Sequence, residues 1–143
     1  SFASHFAPAL LFEALNLYRA GFKPSKRLAR PYVMLGVNVV AAPTDDEARL
    51  LASSGRQAFA SLREGRPIRL PPPSEEWARD PNEAVDPVLR PRVSFVGSGR
   101  TIAAQIRDFI ARTGADELII VSHIYDHAAR LRSYEIAVAM GGR

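Results

Sequence analysis

Cysteine is absent from this chain of 143 residues, so disulfides, thiolate metal sites and a cysteine nucleophile are excluded. No apolar run approaches the roughly 20 residues that cross a bilayer. No signal-peptide pattern is visible either, and a cytoplasmic protein is the expectation. Aromatic residues make up 8% of the chain, with one tryptophan. None of them interleaves with a basic run in the manner of single-strand nucleic-acid binders. The net charge of +4 is scattered, with one tight group at Lys23, Lys26, Arg27 and Arg30. Elsewhere Arg alternates with Glu and Asp on helical patterns, as solvated faces do. Neither a nucleic acid nor a membrane is an expected partner.

What is present is an ordinary globular composition, 47% apolar and 24% charged, in a length that suits one domain with its own core. The stretch that organises the chain is Gly114 to His127. A helical pattern closes at Thr113-Gly114, a short apolar run Leu118-Ile119-Ile120-Val121 follows, and then come Ser122, His123, Tyr125 and Asp126. This reads as a strand buried on both faces, entered from one helix and left into the next. Polar residues at the carboxyl end of such a strand stand where α/β folds place ligands.

The remaining elements follow the same logic. Residues 1 to 6 read as a short strand ending at Ser4-His5-Phe6, so a chain that opens in mid-strand at Ser1 is expected to be the later part of something longer. Leu11, Ala14, Leu15 and Tyr18 recur at helical spacing. Tyr32 to Ala42 is nearly continuous in apolar residues and rich in Val, hence a central strand, with Asn38 as its one polar interruption. A buried Asn must find partners, in the core or on a ligand. Thr44-Asp45-Asp46-Glu47 has capping-box form, and the helix it starts keeps its period through Ala48, Leu51, Ala52, Phe59 and Leu62.

Residues 66–92 differ in kind. Pro67, Pro71, Pro72, Pro73, Pro81, Pro87 and Pro91 deny any long regular element there. Trp77 in the middle argues for a long excursion packed over the surface or a site, not for a free linker. Val93 to Thr101 leads into a helix carrying Ile102, Ile106, Phe109 and Ile110, and Asp126 is placed to cap the last helix. The order of strand, helix, strand, helix, excursion, helix, strand, helix is a run of β/α units with parallel strands. About three strands cannot close a barrel.

The chemistry is less explicit. Gly97-Ser98-Gly99 before a helix invites a phosphate reading, but Ile102 stands where a third glycine belongs and there is no Walker lysine; an ordinary Ser98-capped helix start fits better. His123 and His127 are four apart without the glutamate of a zinc motif, and a strand-to-helix turn separates them, so no metal is expected. The bland alternative for His123 is a residue that orients the Asp126 cap. His5 holds an equivalent place at the end of the first strand. No nucleophile elbow, catalytic triad or carboxylate pair can be assigned, and the catalytic residues stay unknown. A bound cofactor that performs the chemistry suits that lack.

Phe2-Ala3-Ser4-His5-Phe6-Ala7-Pro8, the segment Val37 to Arg49, Phe95-Val96-Gly97-Ser98, Ala111 to Leu118 and Ser122 to Glu135 together resemble, in order and over nearly the whole chain, the bacterial luciferase-like family of flavin-dependent monooxygenases. The last segment is the most specific. The chain departs from the family at Gly99-Arg100, where Pro-Glu is usual. The resemblance implies the carboxyl-terminal portion of a (β/α)8 TIM barrel spanning residues 1–143, with residues 66–92 as a long Pro-rich loop at the place of a mobile active-site loop. It implies reduced FMN as cofactor, supplied by a separate flavin reductase or through NAD(P)H, a small organic substrate, and a homodimer. His5, Asn38, His123 and Tyr125 are then expected to line the active site as cofactor- or substrate-binding residues. The family's flavin phosphate site corresponds to sequence upstream of Ser1. The competing expectation is a non-catalytic truncated barrel or partner subunit that acts through assembly.

Overall fold

The nine-residue strand β1 (Met34–Ala42) is the middle of a parallel three-stranded sheet whose order is β2-β1-β3. β2 is Ser94–Ser98 and β3 is Glu117–Val121. The computed structural model describes residues 10–79 and 93–141; the first strand expected from the sequence, with His5, and the second half of the Pro-rich excursion lie outside them. The helices are α1 (Leu11–Ala20), α2 (Asp45–Arg63), the short α3 (Glu75–Ala78), α4 (Gly99–Thr113) and α5 (His127–Gly141). Consecutive β/α units would set the strands side by side in chain order, whereas here β1 separates β2 from β3.

Alternation along the strands sorts the sheet into two faces. Leu35, Val37, Val39 and Ala41 of β1 and Phe95 of β2 point to one face, where Leu11 and Leu15 of α1, Ile102 and Phe109 of α4 and Ala137 of α5 meet them. Phe95 and Phe109 are stacked edge to face at 5.4 Å. Full burial of each such side chain is worth about 1.5–3 kcal/mol. The opposite face carries a smaller core of Val40, Ala52 of α2 and Ile124, with Leu51, Val96 and Ala129 packed against it.

That second face is only partly covered, which corrects the sequence reading of β3. The strand is not buried on both faces: Leu118 and Ile120 reach the main core, while Ile119 is 47% exposed. Among the described residues β3 pairs with β1 alone, and α2 packs mainly on β1 and β2. The neighbour that covers a strand is not written in its own apolar run.

Local signals place the ends. Thr44 Oγ1 accepts the Glu47 N–H at 3.2 Å, as the capping-box spacing predicts. Gly114 closes α4 at φ +59°, and Arg19 of α1 donates to the freed carbonyls of Thr113 and Gly114 at 2.6 and 3.0 Å. Asp126 Oδ1 accepts the Ala129 N–H at 2.7 Å and caps α5. Beyond Asn38, where β3 stops, Ser133 of α5 takes over the edge of β1 by accepting the Ala41 N–H at 2.9 Å. Residues 66–79 are pinned to α2 by Ser53, whose Oγ accepts the Ser74 N–H at 2.8 Å, and by Gln57, which donates to the Pro72 carbonyl at 3.2 Å. Trp77 is half-buried, so this part of the excursion packs on the protein.

Candidate functional site

Asn38 is the one β1 residue in register with both neighbours, opposite Ser94 of β2 and Val121 of β3. Parallel partners in register share a face, so Asn38, Ser94 and Val121 all lie on the partly covered side. Two residues after Val121, His123 returns to that side. The Asn38 amide donates from Nδ2 to Ser94 Oγ at 2.8 Å. Its Oδ1 accepts the backbone N–H of His123 at 3.3 Å and lies 3.2 Å from His123 Nδ1. An amide, a hydroxyl and an imidazole therefore converge below the edge of α2, beside the partly exposed Ile119 and the side-chain-free Gly36, its partner in register.

α2 comes close enough to fix this cluster because Gly55 stands in its sheet-facing stripe. A Cβ on Gly55 would meet His123 Cβ at 3.1 Å and its carbonyl oxygen at 3.4 Å. The histidine is held by a strand side chain on one side and by helix backbone on the other.

Of the residues singled out in the sequence, Asn38 and His123 are brought together. Tyr125 is 54% exposed and is not joined to them; Ile124, between the two, is fully buried in the smaller core. His5 is outside the described residues. His127 belongs to α5, its Nδ1 2.8 Å from Arg130, so the two histidines have different partners. Among the described residues no group of three or more His, Cys, Asp or Glu is arranged to hold a metal ion.

The Gly97-Ser98-Gly99 turn is already filled. Asp45, in the first turn of α2, accepts the Ser98 N–H at 2.6 Å. That backbone hydrogen bond, with help from the Thr101 and Ser98 hydroxyls, holds the Asp45 carboxyl below the ordinary carboxylate value. Contrary to the Ser98-capped start expected from the sequence, Ser98 Oγ makes no cap bond to the helix backbone and lies 3.1 Å from Thr101 Oγ1 instead. A carboxylate thus takes the place at the start of α4 where an anion would sit.

Two surface clefts flank the sheet. One, of about 250 Å³, lies at the carboxyl end of β1 between the first turns of α2 and α5, with Glu47, Asp126 and Arg132 as its charged groups. The other, of about 310 Å³, is at the amino end and contains Arg19, Arg30 and Asp116. Its charges are engaged in holding the fold: Asp116 accepts the Val33 N–H at 2.8 Å and the Arg30 guanidinium at 3.0 Å. The first of these bonds is the main reason its carboxyl is held below the usual value.

Ser94, Asp45 and Gly55 escaped the sequence reading. Ser94 had a signal in the alternation Val93-Ser94-Phe95, which puts its hydroxyl opposite Phe95, but the register with Asn38 was not readable. Asp45 looked like an ordinary first-turn acid. Gly55 was hidden within the apolar stripe of Leu51, Ala52 and Phe59.

No family model matches the chain. Over 142 residues it is 41% identical to a "Luciferase-like monooxygenase" of Escherichia coli strain K12, the match covering 96% of this chain and 42% of that protein. It is 40% identical over 140 residues to the uncharacterized protein YvbT of Bacillus subtilis strain 168, covering 95% and 41%. The crystal structure of apo-MsnO8 superposes with a TM-score of 0.82 at 30% identity, over 97% of this chain and 43% of that one. The chain therefore spans about two-fifths of the length of the relatives it matches.

Proposed function

This chain belongs to the luciferase-like monooxygenase family, matching the carboxyl-terminal part of its members, and on that premise we propose that it serves a flavin-dependent monooxygenase acting on a small organic substrate. Its fold is the carboxyl-terminal portion of a (β/α)8 barrel, with three parallel strands and flanking helices. The reading is carried by one observation: Asn38, Ser94 and His123 converge on the sheet face that the helices leave partly open.

The residues there suit a flat heteroaromatic ring. Gly36 offers no side chain, Ile119 and Val121 offer apolar surface, and the Asn38–Ser94–His123 cluster offers a polar rim. They do not suit the flavin phosphate at the Gly97–Gly99 turn, where Asp45 already accepts the available N–H. Reduced FMN, when bound, supplies two electrons to dioxygen, so that one oxygen atom enters the substrate and the other leaves as water. The chain's own residues bind and orient. Asn38 fixes the imidazole of His123, Ile119 and Val121 keep water from one side of the ring, and residues 66–79 brace α2 from behind. Tyr125, at the mouth formed by the residues after β3, belongs to the substrate side of this proposal. A homodimer and a separate flavin reductase or NAD(P)H as the electron source complete it.

Titration of FMN with the chain, followed by flavin fluorescence, tests the reading. Saturable quenching is expected, weakened about 10-fold or more by His123→Gln, in line with loss of a hydrogen bond to a buried ligand of about 1–3 kcal/mol. Absence of saturable binding would sink it.

A further inference from the structure

We propose that the cleft at the carboxyl end of β1 binds a small zwitterion of the kind represented by an aliphatic amino acid. The cleft, of about 250 Å³, has one wall from α2 and one from α5. Each wall offers an apolar surface and one charge, and the two charges are opposite in sign. On α2, Glu47 and Leu51 stand one turn apart on the same face. On α5, Ala128, Ala129 and Arg132 do the same. Ala41, Ala42 and Pro43 make the floor, and it is these short side chains that leave the space open.

Both charges are left over from the fold. A capping-box glutamate ordinarily returns its carboxylate to the N-cap N–H, but here only half the box is made. Thr44 Oγ1 accepts the Glu47 N–H, and the Glu47 carboxylate makes no hydrogen bond or ion pair among the described residues. The Arg132 guanidinium makes none either. Asp126, at the rim, has its Oδ1 committed to the Ala129 N–H, so Glu47 is the carboxylate that remains for a cation. A ligand with an ammonium for Glu47, a carboxylate for Arg132 and a short aliphatic part against the alanines satisfies every surface of the cleft. A ligand with one charge alone meets a like charge across it and loses by that repulsion. The site is separate from the Asn38 cluster: Ala42 lies about 13 Å along β1 from Asn38, with the smaller core of Val40, Ala52 and Ile124 at the level between them. It therefore does not rest on the flavin reading.

The test is titration of the chain, labelled with ¹³C at its alanine methyls, with L-valine, isobutylamine and isobutyrate in turn. Saturable shifts at Ala41, Ala42, Ala128 and Ala129 are expected with valine, and weaker binding with the amine and the acid, each of which keeps only one of the two charges. Glu47→Gln and Arg132→Gln should each weaken valine about 3-fold, in the range of one exposed ion pair. Both side chains are exposed, and a thermal melt of each variant verifies that the fold is kept. Shifts that stay linear in valine up to its solubility would overturn the site, and that outcome needs no variant. Isobutylamine or isobutyrate binding as tightly as valine would overturn the zwitterion, as would valine binding unchanged in both variants. A failed FMN titration with valine bound would overturn the flavin reading and leave this one standing.

Discussion

The Asp45 carboxylate accepts the Ser98 N–H at 2.6 Å, joining the first turn of α2 to the start of α4 across 53 residues of chain. It makes one unit of the carboxyl ends of β1 and β2, from which these helices depart. Because the bond is made by the ionised carboxyl, the Asp45 pKa is lowered from its ordinary 3.8. A lowered folded-state pKa means that the stabilisation is complete above the unfolded value and is lost as pH falls through the folded one. Asp45→Ala is expected to unfold at a lower temperature than the parent protein at neutral pH. The gap should narrow as pH drops below 3.8. Thermal melts across pH 2 to 7 check this; a gap independent of pH contradicts it.

Gly97 makes that latch geometrically feasible. Its φ is +152°, and a Cβ there would lie 2.6 Å from Thr101 Cγ2 and 2.9 Å from Asp45 Oδ1. Gly97→Ala should cost at least about 1–3 kcal/mol from backbone strain alone. Denaturant unfolding of this variant beside Asp45→Ala reads both the strain and the lost latch, and the two costs should not add, since both act on one contact.

The two faces of the sheet predict opposite tolerance. Leu35 is fully buried on the helix-covered face, so Leu35→Ala should cost about 2–5 kcal/mol. Ile119→Thr, on the partly open face of β3, should stay within about 0.5 kcal/mol. Comparable losses for both in urea unfolding would mean that the open face is covered in solution.

Arg19 serves the other end of the sheet. Its guanidinium donates to the Thr113 and Gly114 carbonyls at the carboxyl end of α4, where the helix dipole also favours a cation. Arg19→Met keeps most of the aliphatic stem and should cost about 1.5–3 kcal/mol, the worth of a hydrogen bond to a charged group. Hydrogen exchange should locate the loss in the last turn of α4, and uniform loosening of the fold would argue for a different role.

Legibility in the sequence followed the range of each interaction. The Thr44 cap, the Gly114 stop and the Asp126 cap are decided within four residues and could be read directly. Asn38 stood out because one polar residue broke an apolar strand. Its partners did not, since Ser94 and His123 are 56 and 85 residues away and meet it only through the registers of two strands. The burial of β3 was hidden for the same reason: Leu118 to Val121 has the composition of a doubly covered strand, but α2 packs mainly on β1 and β2 and Ile119 is left 47% exposed. The glycine-rich turn before α4 could be read as an anion seat, and only the fold reveals that Asp45 sits there. The strand order β2-β1-β3 left no trace in the order of the elements.

Where reduced FMN binds on this chain is the central question. Anaerobic titration of the ¹⁵N-labelled chain with reduced FMN, monitored at the Asn38 side-chain amide, the His123 ring and the backbone of Ile119 to His123, measures that. Saturable shifts concentrated at these positions, and abolished by Asn38→Leu, are predicted. Saturable shifts confined to the cleft around Arg19 and Asp116, or no shifts at all, would contradict it.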